Sequence, residues 1–147
     1  MNLPLQGHTY ALSTIIGRIV ARLRIEMVLT QAQLAERLQF DRSLLTRIET
    51  GRNTVNADHL FLLEQVFIRG GRLGHHGDLL YLAARVAGRL KRRGAVPVYG
   101  VLPKPDSVGE VETPAVDRVV VLILDEWIAG RADTRGRRPD ADEPDEP

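Results

Sequence analysis

The stretch TQAQLAERLQFDRSLLTRIETGR, residues 30 to 52, confines two short amphipathic patterns around a break of three residues. Ala32, Leu34, Ala35 and Leu38 recur at helical spacing, and Leu45 and Ile48 stand three apart, so each pattern offers one apolar face. Thr30 followed by Gln33 is a capping-box pair, which predicts a helix over about 31 to 38. Gln39, Phe40 and Asp41 make the break, and Asp41 suits the N-cap of a second helix, its charge matching the positive end of the dipole. That helix runs over about 42 to 49 and stops at Gly51, where the chain can turn at positive φ. Too few residues separate the two helices for them to lie antiparallel. Leu34, Leu38, Leu45 and Ile48 therefore have to meet at a steep angle, which leaves the start of the second helix exposed.

Upstream, Leu12, Ile15, Ile16, Ile19, Val20 and Leu23 predict a helix over about 12 to 27, with Ser13 available near its start as a cap. Downstream, Asn56 or Asp58 starts a helix with Leu60, Leu63, Val66 and Phe67 as its stripe. RGGRLGHHG, residues 69 to 77, is a glycine-rich loop, and residues 78 to 93 read as a fifth helix with Leu79, Leu82, Val86 and Leu90 on one side. After Gly94 the texture changes. AVPVYGVLPKPDSVGEVE holds three prolines among valine-rich fragments, so it is short strands or an extended connector. In TPAVDRVVVLILDEWIAG, Thr113 as cap, Pro114 at the first helical position and Gly130 as terminator argue for a helix, while VVVLIL argues for a strand by its branched residues. The helix is favoured, because Val116, Val119, Val120, Ile123 and Trp127 keep helical spacing. The remainder, residues 131 to 147, reads as a disordered charged tail. The expected division is 1 to 93, 94 to 130 and 131 to 147.

A chain of 147 residues is one domain, or one small domain with an appendage. It has no cysteine, which excludes disulfides, thiolate metal sites and a cysteine nucleophile. Arg18, Arg22 and Arg24 interrupt the apolar N-terminal region, so it does not read as a signal peptide, and no apolar run approaches the roughly 20 residues of a membrane span. A soluble cytoplasmic protein is expected. The formal net charge of +1 is unevenly spread: residues 1 to 93 carry 14 Lys and Arg against 7 Asp and Glu, whereas residues 139 to 147 carry five acids and no base. A basic front half beside an acidic tail suggests a polyanion as partner.

Two short helices around a tight turn are the helix-turn-helix arrangement, in which the second helix enters the DNA major groove and the first crosses the backbone. Residues 15 to 67 resemble the lambda-repressor and Cro-like regulators, the xenobiotic-response-element family. The resemblance rests on Arg24, on TQAQLAERL, and on RSLLTRIETGR, which is similar to a recognition helix ending in Ile-Glu-x-Gly-Arg. It implies an all-α fold, a five-helix lambda-repressor-like domain, to which the residues themselves add a small C-terminal extension, a helix with either short strands or an extended connector before it. It also implies DNA-binding roles. Gln31 would anchor a phosphate and support the recognition helix; Arg42, Ser43, Thr46 and Arg47 would face outward, with Leu44 placed for a thymine methyl or packed at the core margin. Arg52 and Asn53 would hold the DNA backbone, with Arg22 a weaker candidate, and Glu49 is expected to pair with Arg24. Two positions depart from the family: Gln39 stands where glycine is usual and Thr54 where many relatives carry proline. A glutamine held in left-handed geometry costs about 1–2 kcal/mol.

Other chemistry finds little support. His75, His76 and Asp78 sit close together, but no second cluster supplies the remaining ligands of a zinc site. No catalytic motif is recognisable, and RGGRLGHHG lacks the Lys-Ser/Thr of a nucleotide loop. Neither enzymatic activity nor a cofactor is expected. Arg89, Lys91, Arg92 and Arg93 read as a solvated helix end favoured by the dipole. A single helix-turn-helix reads too little DNA for specificity, so a homodimer on a palindromic operator is expected. Val116, Val119, Val120, Ile123, Leu124 and Trp127 are the candidate dimer interface. A repressor is the leading reading; the alternative is an antitoxin whose C-terminal half binds a protein partner.

Overall fold

The computed structural model describes residues 3–98 and 108–135. In chain order the elements are β1 (His8–Ala11), α1 (Leu12–Glu26), α2 (Gln31–Leu38), α3 (Arg42–Glu49), α4 (Ala57–Arg69), α5 (Asp78–Arg92), β2 (Val96–Val98), β3 (Gly109–Glu110) and α6 (Thr113–Arg135). The caps explain several starts. Both halves of the α2 capping box form, with Gln33 N–H donating to Thr30 Oγ1 at 3.1 Å and Thr30 N–H donating to Gln33 Oε1 at 2.9 Å. Asn56 Oδ1 accepts from His59 N–H at 2.7 Å to start α4. Asp41 makes no side-chain cap bond before α3, and α1 grows directly out of β1 through Ala11, so Ser13 is not its cap. The start of α5 is capped from a neighbouring helix: buried Glu64 accepts from the backbone N–H groups of Gly77 and Leu79 at 2.7 and 3.1 Å.

The expectation of an all-α domain is corrected by a three-stranded parallel sheet in the order β2-β1-β3. Thr9 lies opposite Val96 on one side of β1 and opposite Glu110 on the other. Pro97 is accommodated because β2 is an edge strand, where a missing N–H need not face a partner. β1 carries no local signal of its role. Its sheet partners lie nearly ninety or more residues away, and only tertiary folding brings these together.

α1 lies at the centre, packed against α3, α5 and α6. One hydrophobic cluster runs through all of them, from Tyr10 and Ile15 through Leu34, Leu45 and Phe67 to Leu82, Val120 and Leu124. α6 is therefore part of the core. Val116, Val119, Val120, Ile123 and Leu124 are each about 1% exposed, and Trp127 is half-buried beside them. These six residues, expected to meet a second copy, instead cover α1 and α5 of their own chain. The reason is geometric: α1 already gives one face to α3, and its remaining apolar residues need a second cover that α5 alone does not supply.

The helix expected over the VVVLIL run forms, but Gly130 does not end it; α6 continues to Arg135. Residues 131 to 135, expected as tail, thus belong to a helix, whereas the acidic stretch from 136 onward and the segment 99 to 107 lie outside the described residues. Among the described residues no helix is long and apolar enough to cross a membrane.

Candidate nucleic-acid interface

The position of α3 is fixed from behind by close backbone approach. A Cβ on Gly17 of α1 would fall inside the van der Waals radius of the Ile48 carbonyl oxygen, and one on Gly51 would meet Thr14. Glycine at both positions lets α1 and α3 touch. Leu45 and Ile48 are fully buried against this contact. The turn before α3 has left-handed geometry at Gln39, with φ of 57°, a conformation that glycine adopts more easily than glutamine. Val28, just after α1, is also left-handed, with φ of 58°. Branched residues rarely adopt that conformation, and nothing in the sequence signals it.

A polar network then locks the helix pair. Arg24 Nε and Nη2 donate to the two carboxylate oxygens of Glu49 at 2.8 and 2.9 Å, a bidentate pair. The Glu49 side chain is only 3% exposed, so this pair is shielded from solvent. Gln31 Nε2 donates to the same carboxylate at 3.1 Å, and the Thr46 hydroxyl donates to Gln31 Oε1 at 3.1 Å. α1, α2 and α3 are thereby joined through four side chains. Arg24 also donates to the Leu29 carbonyl at 2.9 Å, holding the turn that leads into α2.

Arg42, Ser43 and Arg47 are exposed along one face of α3, with Leu44 half-buried beside them and outside the core cluster. Their spacing puts them on neighbouring turns of a helix, where side chains three and four apart are adjacent. Thr46, expected in the same outward set, is half-buried with its hydroxyl against Gln31. Arg52 is exposed and Asn53 half-buried at the C-terminal end of α3, their backbone N–H groups closing onto the Arg47 carbonyl at 2.9 and 3.3 Å. Arg22 is taken up by Glu26 on its own helix at 3.4 Å. In the basic run that ends α5, Arg89 pairs with Glu126 of α6, while Lys91, Arg92 and Arg93 are exposed.

Two further features escape sequence reasoning. Arg18 donates through Nε and Nη2 to both oxygens of Asp117 at 2.7 and 3.0 Å, and through Nη1 to the Glu49 carbonyl at 3.4 Å. It links α6 to the last residue of α3, and because Arg18 and Asp117 are 99 residues apart, no local pattern could have found the pair. The second lies in the histidine loop. Asp78 accepts from the backbone N–H groups of Gly74 and His75, and His76 stacks on Phe61 at 4.0 Å beside Glu64.

Comparison with curated proteins and with solved structures finds no match to this chain. A family model described as a helix-turn-helix domain matches residues 15–60, the segment that runs from α1 into α4. The match covers less than half of the chain, and over that segment the chain is similar to helix-turn-helix domains.

Proposed function

We propose that the chain is a sequence-specific transcription regulator of the lambda-repressor and Cro-like type, a homodimeric repressor that reads a palindromic operator through α3. The observation that carries this reading is the exposure of Arg42, Ser43 and Arg47 on a helix whose opposite face is immobilised by Leu45, Ile48 and the Glu49 network. A recognition helix needs both. Its outward groups must be unpaired to reach base edges, and its angle must be held so that they arrive together. An arginine can grip guanine O6 and N7 with two parallel bonds, which discriminates against other bases by about 1–3 kcal/mol. Gln31 has a remaining amide hydrogen for a phosphate after serving Glu49, and Arg52 and Asn53 stand at the helix end where backbone contacts fall.

A dimer would place two copies of α3 one DNA turn apart, about 34–36 Å. Its contact surface has to come from side chains the monomer leaves exposed, such as Tyr81 on α5 and Leu122 and Ile128 on α6. Selection of bound sequences from a random DNA pool tests the reading, with a palindromic consensus as the expected result. Arg42→Ala should relax the choice at one base position, while Gln31→Ala should weaken all sites alike. Equal loss on selected and random DNA for Arg42→Ala would remove the role assigned to it. Light scattering that shows a monomer with full operator affinity would remove the dimer.

A further inference from the structure

The C-terminal end of α1, the turn at Gly71 and Arg72, and the last third of α6 enclose a cleft of about 200 Å³. Leu23, Leu124, Trp127 and Ile128 supply its apolar lining, and Arg72 and Arg131 stand among them. Among the described residues neither arginine has a carboxylate partner. Arg72 Nη2 donates to the Glu26 carbonyl at 2.6 Å. Arg131 Nη1 donates to the carbonyls of Gly71 and Arg72 at 3.2 and 2.9 Å, and its guanidinium lies 5.9 Å from the Trp127 ring centroid. Each guanidinium carries five N–H donors, so most of them remain unclaimed. Glu26, the acid in the cleft wall, forms an ion pair with neither: its Oε1 accepts from Arg22 at 3.4 Å, and its Oε2 is buried without a hydrogen-bond partner among the described residues.

We propose that this cleft binds a small carboxylate with an apolar body. The apolar part lies against Leu23, Leu124 and Trp127, and the carboxylate is gripped by Arg72 and Arg131. Three observations converge on that chemistry. Two half-buried positive charges lack counter-charges, planar guanidinium groups match a carboxylate in fork geometry, and an aromatic wall adjoins them. The size selects a single ring or a short branched chain, since a cavity of about 150 Å³ holds benzene. The cleft lies between the two helices that Arg18 and Asp117 also join, so under the DNA-binding reading the ligand would be an effector. The binding itself does not depend on that reading.

Trp127 is the only tryptophan in the chain and lies in the cleft, so its fluorescence reports occupancy directly. The test titrates the full chain with phenylacetate and with 4-methylpentanoate up to about 10 mM, the range suited to ligands of this size. A saturable change is expected with both acids, at least tenfold weaker with the neutral phenylacetamide, and weakened tenfold by Arg72→Gln or Arg131→Gln. Arg131→Lys should retain part of the affinity. Absence of a saturable change, equal binding of the amide and the acid, or unaltered binding by both folded glutamine variants would each overturn the proposal. The acid and amide comparison uses the unaltered protein and holds even where a variant does not fold. It also separates this proposal from the DNA reading, because no DNA is present.

Discussion

Removal of the Glu49 carboxylate is the perturbation with the clearest expected size. Glu49 accepts three hydrogen bonds, two from Arg24 and one from Gln31, at a position almost closed to solvent. Glu49→Ala leaves the Arg24 guanidinium, itself 14% exposed, with the Leu29 carbonyl as its one remaining acceptor. Breaking a buried pair from one side costs about 3–5 kcal/mol, because the abandoned charge stays desolvated. At roughly 3 °C per kcal/mol for a chain of this length, the melting temperature should fall by about 10 °C. Arg24→Met should cost a similar amount by stranding the carboxylate. The double variant Arg24→Met/Glu49→Leu removes both charges and should recover most of the loss, since apolar replacements of a buried pair are often neutral. Urea denaturation of the unaltered protein, Arg24→Met, Glu49→Leu and the double variant closes the cycle and gives the coupling. A Glu49→Ala loss under about 1 kcal/mol, or a double variant as damaged as the two single losses added together, would show that the pair is solvated and that α3 is held by packing alone.

Gly17→Ala should destabilise the fold by about 1–3 kcal/mol or more despite alanine's better helix propensity, because the added methyl meets the Ile48 backbone rather than a yielding side chain; urea denaturation checks it, and a neutral result would mean that α1 and α3 are not in contact at that point. Val28→Gly should stabilise by about 0.5–1 kcal/mol, the relief of left-handed strain exceeding the entropy glycine adds to the unfolded chain. A lower melting temperature for that variant would contradict the backbone geometry. Ile123→Ala should cost about 2–5 kcal/mol, with a loss that does not depend on protein concentration, because the cavity opens inside one chain. A loss that grows on dilution would return Ile123 to a contact between copies.

The pair α2 and α3 was legible in the sequence because everything that defines it is local. Thr30 and Gln33 cap α2, Gly51 follows the end of α3, and Leu34, Leu38, Leu45 and Ile48 mark the inward faces, all within 23 residues. The observed bounds of both helices fall where these signals put them. The pairing of Arg24 with Glu49 came from resemblance rather than from spacing, and the geometry agrees with it. Thr46 shows the limit of reading a helix by its faces: its position is outward, yet its hydroxyl turns to Gln31, because a neighbouring helix offers an acceptor that no helical wheel displays.

What the sequence determined by itself, then, is the set of helices, through apolar periodicity and terminal residues that act over three or four positions. It also determined that α6 has to be buried against something, since apolar residues surround it. Only the tertiary structure decided what covers it. A hydrophobic face is non-directional and fits its own chain as well as a second copy, so Val116 to Leu124 carried no information about which they meet. The sheet was decided in the same way. His8 to Ala11 become a central strand because Val96 and Glu110 arrive beside Thr9, and backbone hydrogen bonds, alike at every residue, leave no trace of such a partner in the sequence.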